Sequence, residues 1–430
     1  MSLFIRLSRS GPSLGLAFLV TASRVIAQEA PPSPLTFNEA LQRAAEHNPA
    51  LAAQGYAERA AEALIEQASL RPNPTLDVAL ENFGGTGAFR GADGIESTVQ
   101  ASQVLERGGK RAKRVALAGR ERDVAAKEYA VHRAEVLGST ASAYVAVLAA
   151  QQSLALAAEP LKLARETVAA VDIRLKAAVA SPAEPARARA ALASAHADVA
   201  RAEAVLVNAR TTLAATWGGR PADVGRVAGG LHIPAALPPE DEFLAKLALH
   251  PRLDFQQAVI AGRRAALTLA HAQAKQDVTV GGGVRFIREG SDAAFVAGVS
   301  VPLPFSNQNQ GNIRAARETL AGAEQSVRAV EAELRVAFTA AWQDLVAAHT
   351  AAQNLRREAL PATEEAYAAV RSAYEQGQLP LIDVLDAQRA LIGLRHQLLE
   401  AETAYAAALA RAEALTHASF PSLGNLLNRS

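Results

Sequence analysis

The sequence predicts a mainly α-helical chain that contributes four strands to a membrane β-barrel. Three observations predict this fold class. The chain repeats itself at an offset of about 200 residues, each copy holds two short runs of alternating apolar and polar residues, and each copy holds about 70 residues of helical pattern. A repeat of this length and content is too long to be a solenoid unit, so the copies are halves of one architecture.

The duplication is visible in short segments that recur in the same order. Pro74-Thr75-Leu76 matches Val278-Thr279-Val280, and Gly109-Lys110-Arg111 matches Gly311-Asn312-Ile313. We therefore predict a first structural repeat over residues 36–216 and a second over residues 241–417. Residues 217–240, which are rich in Gly and Pro, are the predicted equatorial linker. Residues 418–430 are the predicted C-terminal tail.

The beginning of the chain has the pattern of an exported protein. It carries Arg6 and Arg9, then an apolar run over residues 11–20, then small residues that end at Ala27. This pattern predicts a signal peptide over residues 1–27, followed by a flexible leader over residues 28–35. Thr36 with Glu39 three residues later predicts a capping box at the first helix of the mature chain.

Composition excludes several classes of function. Lys and Arg number 44 against 43 Asp and Glu, so no basic excess indicates a nucleic-acid partner. The chain has no cysteine and one methionine, Met1, which argues against disulfides, a lipoprotein acceptor and a soft sulfur metal site. The nine histidines never stand three or four residues apart, and no catalytic or phosphate-binding motif occurs. We expect no enzyme, no cofactor and no metal site within one chain.

The alternating runs have the length of membrane strands. About 10 residues cross a bilayer when the strand is tilted. In the second repeat, Thr279 and Arg285 alternate with apolar residues and are expected to face the lumen. The residues expected to face lipid are Val280, Val284, Phe286, Phe295, Val299 and Val301. Isolated hairpins of this kind also occur on soluble cores; the duplication and the signal peptide favour the barrel.

The helical stretches run over residues 109–178 and 310–377, so each is about 100 Å long. Return helices are predicted over residues 184–216 and 381–416, and Pro160 and Pro361 are expected to kink the long helices. In the second stretch, apolar residues recur at steps of three and four and predict a coiled-coil seam. These are Val327, Val330, Leu334, Phe338, Ala341, Leu345, Ala348, Ala352 and Leu355.

Four strands per chain predict an oligomer. In lipid an open sheet edge leaves backbone groups unpaired at a cost of several kcal/mol each. Two chains would give eight strands with a filled interior, and three would give twelve strands with room for a lumen.

Particular segments resemble a known family. Val301-Pro302-Leu303-Pro304-Phe305, followed by the segment Asn309–Arg314, is similar to the segment leaving the fourth strand in outer-membrane efflux proteins of the TolC superfamily. Gly108–Arg111, Tyr374–Gly377 and Asp383–Gln388 resemble the same family. The resemblance covers about residues 35–417. It is most similar to the branch that serves heavy-metal resistance pumps of the cobalt-zinc-cadmium type.

The resemblance implies a homotrimer in the bacterial outer membrane, with a 12-stranded barrel continued by an α-helical tunnel across the periplasm. It implies a passive exit duct for heavy-metal cations. The implied partners are outer-membrane lipid, a periplasmic adaptor of the membrane fusion class and a proton-driven inner-membrane pump of the RND class. Alternatives are a duct for drug efflux or type I protein secretion, and a periplasmic coiled-coil scaffold or adaptor.

The resemblance also places the periplasmic aperture near the turn at Gly377. In a trimer Asp383 and Asp386 would form stacked carboxylate rings, which suit the passage of cations. The alternative is that both acids complement the dipole at the start of their helix and face solvent. Tyr374 is a weaker candidate for the gate, since an aromatic residue there could simply pack between helices.

One position departs from the family pattern. Some members carry a basic residue where this chain has Leu379, so an arginine lock at that position is not expected. Arg187 and Arg189 lie near the corresponding tip of the first repeat, where they could pair with the acids or remain solvated.

Overall fold

The computed structural model describes residues 34–177, 181–416 and 419–428. The predicted signal peptide, residues 1–27, lies outside the described residues, as does the leader up to residue 33. The described chain is mostly helical and contains one four-stranded antiparallel sheet.

The elements of the first repeat begin with two helices, continue with a hairpin and end with a long helix and its return helix. They are α1 (Phe37–His47), α2 (Pro49–Ser69), β1 (Thr75–Glu81), β2 (Glu96–Leu105), α3 (Lys110–Lys176) and α4 (Glu184–Ala215).

The second repeat has the same order of elements, with its long helix in two parts and a short helix after the return helix. They are α5 (Glu240–Leu247), α6 (Pro251–Gln273), β3 (Val278–Ile287), β4 (Asp292–Ser300), α7 (Gln310–Asn354), α8 (Leu360–Glu375), α9 (Leu381–Thr416) and α10 (Pro421–Leu427). Helix α10 lies in the predicted tail, and its three buried leucines explain why it folds onto the helical body.

Two sets of contacts hold the start of the first repeat: a capping box at Thr36 and contacts to the backbone of Leu35. Thr36 Oγ1 accepts the N–H of Glu39 over 3.3 Å, and Glu39 Oε2 accepts the N–H of Thr36 over 2.9 Å, so the predicted capping box is confirmed. Leu35 is buried and pairs with Val227 in a parallel bridge. The hydroxyl of Tyr144 bridges the carbonyls of Leu35 and the linker at 2.9 and 2.8 Å. The flexible leader therefore does not extend to Leu35.

Equivalent helices of the two repeats begin with the same device. Helix α2 starts at a proline, and Asn48 Oδ1 accepts the backbone N–H of Leu51 over 3.0 Å. Helix α6 also starts at a proline, and His250 Nδ1 accepts the N–H of Arg252 over 3.1 Å. Proline suits this first position because its missing N–H would have no helical partner.

The sheet has the order β1-β2-β3-β4, with every neighbouring pair antiparallel. Strand β2 pairs with β3 in the register Thr98 to Arg285, and β3 pairs with β4 in the register Val284 to Phe295. Within the described residues β1 and β4 each have one partner strand, so they are the edges of the sheet.

A carboxylate joins the sheet to the helices and the first repeat to the second. Asp277, just before β3, accepts the backbone N–H of Arg107 over 2.9 Å and the ammonium of Lys110 over 2.8 Å. Burial raises the pKa of Asp277, but these donors outweigh it and the pKa is lowered. At the same junction Gly108 has φ +73°, and a Cβ there would lie 2.8 Å from Cδ of Lys275. The junction therefore needs glycine.

The helices pack in two series that follow the order of the strands. On the side of the sheet the neighbours are α2, α3, α6 and α7 in that order. On the far side they are α4, α3, α9 and α8. The predicted seam of α7 is confirmed, because all of its residues except Val327 and Leu355 at its ends are buried.

The two prolines in the long helices behave differently. Helix α3 continues through Pro160, whereas a π-helical turn, Leu355–Ala359, precedes Pro361 between α7 and α8. A π turn accommodates a residue that cannot donate to the helical ladder. The change in helix type therefore occurs in the second repeat and not at Pro160.

Candidate functional site

The turn between α8 and α9 is closed by backbone geometry that requires glycine. Gly377 has φ +77°. Its N–H donates to the carbonyl of Tyr374 over 2.9 Å, and the N–H of Gln378 donates to the carbonyl of Ala373 over 2.8 Å. These two bonds form a Schellman motif. The sequence therefore places a sharp reversal at this position.

Tyr374 packs between helices of the same chain. It lies against a small apolar cluster formed by Val171, Ala188, Leu381 and Leu385. The guanidinium carbon of Arg174 lies 5.4 Å from the centre of its ring, a cation–π distance. Tyr374 thus connects α8 to the end of α3, and its role as a gate remains a prediction.

The two predicted aperture acids have different surroundings. Asp386 is exposed and accepts from Arg389, one turn later in α9, over 3.0 Å. Asp383 is half-buried in the first turn of α9. Among the residues that the structure describes, its carboxylate has no hydrogen-bond or ion-pair partner. Asp383 is therefore the acid with the less compensated charge.

The arginines of the first repeat do not pair with these acids inside the chain. Arg187 and Arg189 are exposed on α4. Arg187 lines a cavity of about 670 Å³ between α3, α4 and α9, together with Leu385, Arg389 and His396. Arg389 and His396 of α9 line this cavity with Arg187, whereas Asp383 and Asp386 do not.

An ion-pair cluster that the sequence did not reveal joins three helices. Arg395 of α9 donates to Glu159 of α3 over 2.8 Å and to Glu364 of α8 over 3.0 Å. Glu159 and Arg395 are 236 residues apart, so no helical spacing could have indicated the contact. Glu159 does stand directly before Pro160, and Glu364 stands one turn after Pro361.

A second ion pair lies at the π-helical turn. Arg356, within the turn, donates to Glu402 of α9. Glu402 is 8% exposed. Burial raises its pKa, and the neighbouring charge of Arg356 opposes that rise. A buried carboxylate needs such a partner, so this pair fixes α9 against the turn.

The four strands separate charged from apolar side chains. On one face lie all the charged residues of the described strands, namely Asp77, Glu81, Glu96, Arg285 and Asp292. Arg285 joins three strands there, through Glu96 at 2.9 Å, Thr98 at 3.0 Å and Glu81 at 3.4 Å. Thr279 is on the same face.

The other face is apolar and open. The register places on it five of the residues predicted to face lipid, Val280, Val284, Phe286, Phe295 and Val299. Phe295 is 94% exposed. Val301, the sixth, follows the end of β4. The side-chain alternation that a membrane strand needs is therefore present, and the contact with lipid remains a prediction.

The family described as Outer membrane efflux protein matches residues 40–219 and 245–417. The cobalt-zinc-cadmium resistance protein CzcC of Cupriavidus metallidurans is 29% identical, over 85% of this chain and 86% of its own length. The nickel and cobalt resistance protein CnrC of the same organism is 31% identical, over 72% of each chain.

Solved structures share the fold at low identity. The outer-membrane channel OprN superimposes with a TM-score of 0.73 at 18% identity, covering 89% of this chain and 90% of OprN. The outer-membrane protein VceC of Vibrio cholerae superimposes with a TM-score of 0.71 at 18% identity, covering 88% of this chain and 96% of VceC. The family match spans most of the chain, and this chain belongs to the outer membrane efflux protein family.

Proposed function

We propose that this outer-membrane efflux protein is the passive exit duct of a tripartite pump for heavy-metal cations. Three copies would form a 12-stranded barrel that continues as a helical tunnel through the periplasm. The observation that carries the proposal is the set of edges that a single chain leaves without a partner. Within the described residues, the sheet and each of the two helical series end at one element of the first repeat and one element of the second.

The sheet supplies the first pair of edges. Strands β1 and β4 are each paired on one side within the described residues. An unpaired strand edge in lipid costs several kcal/mol for each free backbone group. Pairing of β4 with β1 of the next copy removes every edge. Three copies are the smallest ring that leaves a lumen, because eight strands are filled by their own side chains.

The helices supply two further pairs of edges. The series on the side of the sheet ends at α2 and α7, and the far series ends at α4 and α8. Three of these four helices present large apolar side chains to solvent in the single chain: Tyr56 on α2, Val205 and Val207 on α4, and Val336 on α7. A neighbouring copy on each side would cover them, in the same cyclic order that closes the sheet.

The aperture is the proposed site of selection. Around a threefold axis each carboxylate of Asp383 and Asp386 is repeated three times at the tip that Gly377 forms. Repeated carboxylates attract cations and exclude anions. Of the two, Asp383 is expected to contribute more, because Arg389 compensates Asp386 within each chain. Tyr374 would set the position of this turn through its contact with Arg174.

The substrate and the partners are proposed from the relatives. CzcC is a cobalt-zinc-cadmium resistance protein and CnrC is a nickel and cobalt resistance protein, which supports divalent metal cations as the cargo. No chemical step is assigned to this chain. Energy and direction would come from an inner-membrane RND pump, and a periplasmic adaptor would connect that pump to the tip.

Expression in a metal-sensitive host that lacks its own duct tests the proposal. The chain is produced together with a periplasmic adaptor and an inner-membrane RND pump of the heavy-metal class, and tolerance to cobalt, zinc and cadmium is measured. We expect tolerance with all three proteins and none when this chain is omitted. Tolerance to organic drugs in place of metals would assign the duct to drug efflux. Purified protein that conducts no ions in planar bilayers would contradict the channel itself.

A further inference from the structure

The connection from strand to long helix differs between the two repeats. In the first repeat residues 106–109 join β2 to α3, and in the second residues 301–309 join β4 to α7. The longer connection begins with Val301, Leu303 and Phe305, alternating with Pro302 and Pro304. Leu303 is 68% exposed and Phe305 is 86% exposed. An added segment thus presents large apolar side chains with nothing from its own chain covering them.

The geometry points to a membrane-interface anchor: Leu303 and Phe305 insert into the phospholipid leaflet at the periplasmic rim of the barrel. This inference rests on the proposed function, because it needs the sheet to be part of a barrel with its apolar face toward lipid. Its partner is a lipid surface, and three such anchors would surround a trimer.

The length of β4 places this segment at the rim. Nine residues at about 3.3 Å each span about 30 Å. A tilt of about 40° reduces their height to about 23 Å, close to the apolar band of about 25 Å in outer-membrane barrels. Ser300 therefore reaches the end of the hydrocarbon layer, and the next residues lie at the boundary between acyl chains and headgroups.

The two prolines lower the cost of an extended segment that leaves the sheet at the edge of the hydrocarbon layer. Backbone N–H groups without a partner are costly near lipid. Pro302 and Pro304 have no N–H, and the N–H of Phe305 donates to the carbonyl of Leu303 over 3.0 Å. The segment thereby presents few unpaired donors, although no strand lies beside it.

Exposed phenylalanines are concentrated around the sheet. In the part of the chain that the structure describes, every exposed phenylalanine lies in a strand, in the β1–β2 loop or in the connection after β4: Phe83, Phe89, Phe286, Phe295 and Phe305. Outer-membrane barrels carry girdles of aromatic residues at both edges of their apolar band. Phe83 and Phe89 lie in the β1–β2 loop at one end, and Phe305 lies at the other.

The first repeat shows what the same junction looks like without an anchor. Its short connection is Glu106-Arg107-Gly108-Gly109, with no apolar side chain. Glu106 pairs with Arg114, and the N–H of Arg107 donates to Asp277. These contacts hold the first junction in place. The side chains of Leu303 and Phe305, in contrast, remain exposed.

Fluorescence quenching by brominated lipids tests the anchor. Phe305→Trp is placed in phosphatidylcholine vesicles whose acyl chains are brominated either near the glycerol or near the methyl end. The native tryptophans, Trp217 and Trp342, are both buried, and the unsubstituted protein supplies their background. Phe295→Trp, in the middle of β4, tests whether the apolar face of the sheet contacts lipid. Gln257→Trp is the control outside the membrane, because it is exposed on α6 between two helices of its own chain and lies about 24 Å from the end of α6 that leads into β3.

We expect Phe305→Trp to be quenched several-fold more than Gln257→Trp, and more strongly by bromine near the glycerol than near the methyl end. Phe295→Trp should show the opposite depth preference. If Phe295→Trp is quenched but Phe305→Trp behaves like Gln257→Trp, a neighbouring copy covers the segment and the anchor alone is wrong. If Phe295→Trp is not quenched either, the lipid-facing sheet is wrong, and the anchor fails with it.

Discussion

The guanidinium of Arg395 in α9 donates to the carboxylate of Glu159 in α3 over 2.8 Å. This contact joins the return helix of the second repeat to the long helix of the first. The same guanidinium donates to Glu364 in α8. This side chain therefore helps to hold the α8–α9 hairpin, which carries the proposed aperture, against α3, in addition to the contacts of Tyr374.

Arg395→Gln should remove these two ion pairs and lower the stability of the protein slightly. The side chains involved are partly exposed, and such pairs contribute about 1 kcal/mol or less each. We expect a modest fall in the thermal transition of the detergent-solubilised protein, larger than that of Arg411→Gln, which loses one exposed pair with Asp344. A double-mutant cycle with Glu159→Gln that showed strictly additive effects would mean that the two residues are not coupled.

Neutralising the aperture acids should change ion preference before it changes assembly. Three copies of a carboxylate in a narrow space repel one another and attract cations. Asp383→Asn with Asp386→Asn should leave the oligomer intact in mild detergent, reduce cation selectivity and weaken blockade by multivalent cations in planar bilayers. Asp198→Asn, on the exposed side of α4, is the control. Unchanged selectivity in an intact oligomer would show that both acids are solvated charges at a helix end.

His250 should make the stability of the second repeat depend on pH. Its Nδ1 caps α6, and its pKa is lowered, first by burial and then by the charge of Arg252. A folded-state pKa below the ordinary value of about 6.5 means that the stabilisation is complete above that pH and is lost as the pH falls.

The test is His250→Asn, since Asn48 caps the equivalent helix of the first repeat without titrating. Between about pH 7.5 and about pH 5, the thermal transition of the parent should fall more than that of this variant. His196→Asn, at an exposed site on α4, should behave like the parent. A variant with the full pH dependence of the parent would exclude His250 as its source.

A charge on the apolar face of the sheet should prevent assembly, and the same charge on the polar face should not. Phe295 and Val296 are neighbours in the middle of β4 and lie on opposite faces of the sheet. A lysine at the bilayer midplane costs about 2 to 4 kcal/mol. We expect Phe295→Lys, on the apolar face, to reduce the yield of folded protein in the outer membrane and Val296→Lys, on the polar face, to assemble normally. The reverse result would mean that the faces are assigned the wrong way round.

Sequence patterns predicted the features of the fold that depend on residues close to one another in the chain. The alternation in β3 and β4, the capping box at Thr36 and the seam of α7 each depend on residues within a few positions of one another. The glycine at position 377 likewise marks its own turn. For such features the sequence contains the interacting partners side by side.

Features that depend on distant partners could not be predicted in this way. Arg395 meets Glu159 only after both repeats have folded, and Leu35 is ordered by Val227 and Tyr144 far along the chain. The π turn before Pro361 has no counterpart at Pro160, although both prolines interrupt similar helical patterns. The residues around the two prolines do not show which of these outcomes each helix adopts.

Disulfide trapping across the proposed subunit boundary tests the central claim most directly. The chain has no cysteine, so any disulfide that forms must join the introduced cysteines. Val78→Cys in β1 is combined in turn with Phe295→Cys, Ala297→Cys or Val299→Cys in β4, all on the apolar face. Val78→Cys with Val296→Cys, on opposite faces, is the control, because its Cβ vectors point apart.

Closure of three copies through β1 and β4 predicts that oxidation of at least one same-face pair gives a ladder that stops at the mass of three chains, while the control pair stays monomeric. Products that stop at two chains, or no crosslinking by any of the same-face pairs, would contradict a barrel built by three copies.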